Sequence, residues 1–187
     1  VPKVTQEHLD ARRAEILEGA RHAFAQYGYD GATVARLEQA TGRSRGAIFH
    51  YFDSKKDLFV EVAAEVNRRY IGLITTGGVA EALRAIAQED PEFIAVLAET
   101  EVRLRRDEDF TARMEAASQE LLPTLEAWFE EQRESGAFRS DIEWLDLARF
   151  ATIVLNGLAL RIGGGDETDV ETVVRLLDDA LRPQARR

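Results

Sequence analysis

Residues 33–59 read TVARLEQATGRSRGAIFHYFDSKKDLF, and the punctuation of this stretch decides the fold. Thr33 is a good N-cap for a short helix through Thr41, with Val34, Leu37 and Ala40 on one face. Thr41-Gly42 breaks that helix, and Ser44 caps a second short one running to about Phe52. After the polar link Asp53-Ser54 a long helix opens near Lys55, with Leu58, Phe59, Val62 and Val66 turned inward. Upstream, from Leu9 to Tyr27, the apolar residues Ile16, Ala20, Phe24 and Tyr27 form one helical stripe, which Gly28 and Gly31 end. Two short helices joined by a tight glycine turn and framed by longer ones describe a helix-turn-helix unit.

In such a unit the first short helix lies across the backbone of duplex DNA while the second presents its N-terminal side chains to base edges in the major groove. The residue types suit that placement. Arg43 and Arg45 grip phosphate or pair bidentately with guanine, and Ser44 with the amides of the helix start donates to phosphate. Gly46 and Ala47 keep the outer face low for close approach, whereas Ile48 and Phe52, four apart, belong to the core. His50 and Tyr51 point away from that apolar pair and donate to phosphate, and Lys55 adds charge at the start of the following helix. With Thr33 at the first cap, these residues make up the expected DNA-binding set.

The charge pattern agrees. The formal net charge of −10 over 187 residues argues against a general nucleic-acid coat. Residues 1–56, however, hold nine Lys or Arg against seven Asp or Glu, while residues 57–187 hold fifteen against twenty-seven. Within 41–56 the positive groups Arg43, Arg45, Lys55 and Lys56 face only Asp53, a small basic patch on an acidic chain. With 45% hydrophobic residues the chain has material for a core. It has no cysteine, which removes disulfides, cysteine zinc sites and thiol nucleophiles and suits a reducing cytoplasm. The most apolar stretch, Phe150 to Ile162, contains Thr152, Asn156 and Arg161 and falls short of the roughly 20 residues of a membrane span. The opening VPKVTQEHLDARR lacks the apolar run of a secretory signal, so the expected location is the cytoplasm and no membrane partner is expected.

The rest of the chain reads all-α. Helices are expected over about 79–88, 91–106 and 110–135, the last bent at Pro123, then over 141–162 and from Val170 to Leu181, with Gly163-Gly164-Gly165 a loop. The helix from Phe150 to Ile162 is apolar around most of its circumference and so needs cover on two sides. We read its second cover as a partner subunit, with Leu155, Leu158, Ala159 and Ile162 meeting Val173, Leu177 and Leu181 of the last helix at a homodimer interface. The expected division is a helix-turn-helix domain over 1–54 and a helical ligand-binding and dimerisation domain over 55–187. Phe93, Leu97, Thr100, Leu104, Met114, Leu121 and Trp128 are candidate lining for a small-molecule pocket, though such a stripe is also ordinary bundle core. Asn156, set among Ile153, Val154, Leu155 and Leu158, needs a partner from backbone, subunit or ligand. Glu99 with Arg103, and Glu101 with Arg105, are spaced for a solvated ion-pair ladder.

The quoted stretch resembles the DNA-binding region of the TetR family of bacterial transcriptional regulators. The likeness rests on Thr33, Leu37, Gly42, Ser44, Ala47, Ile48, Phe49, Phe52, Lys55 and Leu58, and covers about residues 10–62. The sequence departs from the usual pattern at Glu38, at Arg43 and at His50-Tyr51. Those departures, with EILEGAR at 15–21 and GYDGATVARLEQATGRSRGAIFH at 28–50, resemble the actinobacterial regulators of aconitase genes. The family resemblance implies about nine helices, a homodimer through a four-helix bundle of the last two helices of each subunit, and a ligand pocket among the C-terminal helices. The expected function is a ligand-responsive repressor that binds a palindromic operator in double-stranded DNA and takes an unidentified small-molecule effector. Two other function classes compete with this one. An enzyme is disfavoured because His8, His22 and His50 are not spaced as a metal pair, no nucleotide or nucleophile motif occurs, and neither cofactor nor metal is expected. A helical interaction module that binds no DNA is the alternative, supported by the net acidity.

Overall fold

The computed structural model describes residues 6–88 and 90–183, and among these it is all-helical, with nine helices and no strand. They are α1 (Gln6–Gly31), α2 (Val34–Thr41), α3 (Arg45–Ile48), α4 (Lys55–Ala87), α5 (Pro91–Leu104), α6 (Glu108–Gln119), α7 (Leu122–Glu134), α8 (Trp144–Gly163) and α9 (Val170–Leu181). Glycines punctuate α1 and α4: each contains one non-helical residue, Gly28 and Gly78. The region 110–135 departs from the expectation. It is two helices and not one bent helix, because Pro123 has no amide to give to a helix interior and takes the first turn of α7 instead.

The chain forms two compact units. One comprises the chain up to residue 66 with 91–114, and the other comprises 67–90 with the chain from 115 onward. The first unit is larger than a helix-turn-helix alone, because α5 and the start of α6 belong to it and α5 packs along α1. Its core is Ile16, Ala20 and Phe24 of α1, Leu37 of α2, Ile48 of α3, and Leu58, Phe59 and Val62 of α4. Phe59 is the aromatic centre, with its ring centroid 4.8 Å from Phe24 and 5.4 Å from Phe110. Gly19 sets how closely α1 meets the end of α2: a Cβ there would lie 2.7 Å from Thr41 Cα and 2.8 Å from the Ala40 carbonyl oxygen. Polar contacts reinforce the same unit. Lys56 at the start of α4 donates to Asp107 at 3.0 Å and to Asp109 at 2.9 Å, Arg113 pairs with Asp57, and Arg21 pairs with Glu92 at 2.7 Å.

In the second unit α7 packs on α8, and α8 on α9. Leu147, Ala148, Ala151, Leu155, Leu158 and Ala159 form the buried stripe of α8, and Val174, Leu177 and Leu181 that of α9. Asp169 caps α9 by accepting from the Thr172 amide at 3.2 Å, and Arg84 forks onto Glu171 at 2.8 and 3.0 Å.

Candidate nucleic-acid interface

Three local features hold α3 outward. Thr33 caps α2, its hydroxyl accepting from the Arg36 amide at 3.4 Å, so α2 begins where the sequence places it. Gly42 then turns the chain with φ 63° and ψ 21°, a left-handed conformation that costs residues with a Cβ about 1–2 kcal/mol. Ser44 caps α3 by accepting from the Ala47 amide at 3.4 Å. A fourth feature escaped the sequence reading: Glu38 of α2 accepts from the Arg45 amide at 2.7 Å, so α2 itself holds the first turn of α3. That contact joins residues seven apart across a turn, which no helical periodicity reveals.

Beneath the turn, Ile48 and Phe52 are buried, as their spacing predicts. On the other side Arg45, Gly46 and His50 are exposed, and Ala47 and Tyr51 are half-buried, with the rings of His50 and Tyr51 edge-on at 5.3 Å. α3 is shorter than expected, ending at Ile48. Tyr51 donates its amide to the Ile48 carbonyl at 3.1 Å, a tighter turn that brings Phe52 inside.

The basic patch is less free than its composition suggests. Arg43 pairs with Glu15 at 2.5 Å. Lys56 is engaged by Asp107 and Asp109, whose hydrogen bonds hold its ammonium above the ordinary lysine range. Lys55 corrects an expectation: its ammonium does not reach outward but donates to the Tyr29 carbonyl at 2.8 Å and lies 4.4 Å from the Tyr29 ring centre. Burial lowers its pKa and raises that of the Tyr29 hydroxyl. Of the four patch cations, only Arg45 lacks an intramolecular partner for its side chain among the described residues.

The expected interface residues on the last two helices fall on the other side from the open face. Leu155, Leu158, Ala159, Leu177 and Leu181 are buried in the chain's own core, and Ile162 and Val173 are half-buried. The apolar residues left open are Phe150 at 42%, Ile153 at 69% and Leu160 at 37% on α8, with Leu176 at 62% on α9. The sequence showed an α8 apolar on two sides without showing which side its own unit covers.

The candidate pocket residues are divided between the units. Phe93, Leu97, Thr100, Leu104 and Met114 belong to the first, where Leu97, Thr100 and Met114 are buried and Thr100 donates to the Val96 carbonyl at 2.8 Å. Phe93 lies under the Arg21 guanidinium at 4.8 Å. Arg103 pairs with Glu99, as the ladder spacing implies, and also with Asp30. Leu121, Trp128 and Asn156 belong to the second unit. There Asn156 lines a cavity of about 200 Å³ with Asn67, Tyr70, Ser118, Phe129, Thr152 and Leu155 among others, and among the described residues no charged side chain lines it. Trp128 lines a wider groove of about 460 Å³ with Phe138, Val174 and Leu181.

A capped, outward-held α3 on a buried apolar base, in an all-helical chain, defines the class of helix-turn-helix regulators. The family model of bacterial regulatory proteins of the tetR family matches residues 16–62. The chain is 38% identical over 185 residues to the HTH-type transcriptional repressor AcnR of Corynebacterium jeikeium, covering 97% of this chain and 98% of that one. It is 37% identical over 185 residues to the HTH-type transcriptional repressor Rv1474c of Mycobacterium tuberculosis, covering 97% and 99%. Among solved structures, Salmonella enterica GusR shares the fold with a TM-score of 0.77 at 21% identity, over 96% of this chain and 99% of that one. The chain belongs to the TetR family of bacterial regulatory proteins. That family is one of transcriptional regulators and not of enzymes.

Proposed function

We infer that this chain is a DNA-binding transcriptional repressor that acts in the cytoplasm as a homodimer on a palindromic operator and responds to a small molecule. The observation that carries the reading is α3 and the turn after it: Arg45 and Gly46 of the helix and His50 of the turn are exposed, while Ile48 and Phe52 anchor them from below. Arg45, whose guanidinium has no partner among the described residues, is the base-reading candidate, and Gly46 lets the backbone approach the groove. Arg43, Ser44, Thr33, Ala47, His50 and Tyr51 frame it toward the phosphates. Lys55 serves by fixing the start of α4 against Tyr29.

Dimerisation through α8 and α9 is supported by Phe150, Ile153, Leu160 and Leu176, apolar side chains that a second copy would remove from water. Two reading heads related by a two-fold axis then address half-sites about 34–36 Å apart or a multiple of it. The neutral cavity around Asn67, Tyr70 and Asn156 is the candidate effector site, and a ligand acts there only if it binds one spacing of the heads better than the other. The interaction-module alternative has no support from the family. An electrophoretic shift with DNA from upstream of the chain's own gene and of its neighbours tests the proposal. A discrete complex that resists unrelated competitor DNA is expected, and failure to prefer any of these duplexes refutes it.

A further inference from the structure

An open groove of about 460 Å³ lies beside α3, with His8 and Arg12 of α1 on one wall and Gly46, Ala47, His50 and Tyr51 on the other. One wall is therefore the face proposed above to read DNA. Arg12 and His8 are exposed, and among the described residues neither side chain makes a hydrogen bond or an ion pair. The neighbouring Arg13 shows the ordinary outcome: it pairs with Glu61 at 2.7 Å and lies 5.2 Å from the Phe52 ring centre. Arg43 does the same with Glu15. Successive residues on a helix point about 100° apart, so α1 turns Arg13 onto α4 and leaves Arg12 facing the groove.

We propose that the start of α1 is a second DNA-contacting element, in which Arg12, assisted by His8, binds a backbone phosphate of the strand bordering the groove that α3 enters. The proposal rests on the DNA-binding reading of α3. The major groove is about 12 Å wide, and the start of α1 faces α3 across the open groove that both line. When α3 enters the DNA groove, the start of α1 therefore faces the bordering phosphates. A guanidinium without a carboxylate partner there matches a phosphate in charge and in bidentate geometry. Gly46 opposite it has nothing within 4 Å of where a Cβ would lie, so this position leaves room for the strand. The contact carries no sequence information, so it adds affinity equally to operator and unrelated DNA.

The test uses the full chain, fluorescence anisotropy, and two duplexes of equal length, one from the upstream region that the chain shifts and one unrelated, each titrated across salt concentrations. Arg12→Gln is expected to reduce the slope of log affinity against log salt by about 0.9 per contact. At 0.1 M salt that corresponds to about an eight-fold loss per contact relative to the 1 M limit. The loss should be the same on both duplexes, and Arg12→Lys should restore the slope. An unchanged slope in Arg12→Gln overturns the proposal, as does a loss confined to the upstream duplex, which would make Arg12 a base reader. If the wild-type chain binds neither duplex, the reading of α3 falls and this proposal with it. If the wild type binds and Arg12→Gln matches it, only this proposal falls.

Discussion

Gly19→Ala sets helix propensity against packing, and the structure decides the sign. Propensity favours Ala over Gly within a helix by about 1 kcal/mol. Against this, the added Cβ would lie 2.7 Å from Thr41 Cα and 2.8 Å from the Ala40 carbonyl oxygen, where ordinary contacts begin at 3.4 Å. Both neighbours are backbone atoms, so relief requires α2 to move by about 0.7 Å relative to α1. Overpacking of this kind costs about 1–3 kcal/mol, which exceeds the propensity gain over most of its range. The net expectation is a loss of up to about 2 kcal/mol, with weaker operator binding because Glu38 of the displaced α2 holds the Arg45 amide. Gly72→Ala is the matched control. Gly72 is also helical, but it is exposed and has open space at its Cβ, so it should gain about 0.5–1 kcal/mol. Urea unfolding of the two variants beside wild type should move the midpoints in opposite directions. If Gly19→Ala stabilises as much as Gly72→Ala, α1 and α2 do not approach as described and the placement of the reading head is wrong.

Other consequences follow from the same contacts. Ile153→Arg should yield a folded monomer by sedimentation, whereas Leu155→Arg, at a position only 2% exposed in the protomer, should unfold the second unit; a folded monomeric Leu155→Arg would restore the expected interface. Arg45→Ala should relax preference at particular operator positions by about 1–3 kcal/mol, and a uniform loss over all sequences would make it a phosphate contact. Lys55→Ala should lower the stability of the head without changing the salt slope, because its ammonium is engaged by the Tyr29 carbonyl. Hydrogen bonds from the Phe110 amide and Lys56 depress the pKa of Asp107, and those from Lys56 and Arg113 depress that of Asp109. Their contribution is therefore complete above the unfolded value of 3.8 and lost as pH falls through the lower folded values. Lys56, raised above 10.5, contributes fully below that pH and loses its contribution as pH rises through the folded value. The stability difference between wild type and Lys56→Ala should accordingly be flat near neutrality and shrink in acid below 3.8; a difference independent of pH there would mean the cluster is not formed.

The legible parts of the fold were those written in local chemistry. Thr33, Gly42 and Ser44 announce α2, the turn and α3 because caps and left-handed turns select residue types directly. Ile48 and Phe52 were assignable to the core by spacing alone. The sequence was silent where partners are distant in the chain: Arg43 with Glu15, Lys55 with Tyr29 and Lys56 with Asp107 all cross between elements, so a basic stretch looked freer than it is. α8 failed for another reason. Its two apolar stripes, one through Leu155 and Leu158 and one through Phe150, Ile153 and Leu160, are equivalent in periodicity, and only the position of α7 and α9 distinguishes them. The pocket stripe suffered similarly, since residues suited to lining and to core are the same types, and Leu97 and Met114 proved to be core.

The central claim, that α3 reads duplex DNA, is most directly tested by the ratio of affinities for an upstream duplex and for the same duplex with its half-sites scrambled, at one fixed salt concentration. The account predicts a ratio of at least about 10³ for wild type, collapsing in a variant that lacks the Arg45 side chain. Equal affinity for the two duplexes, or a ratio unaffected by the loss of Arg45, would contradict it.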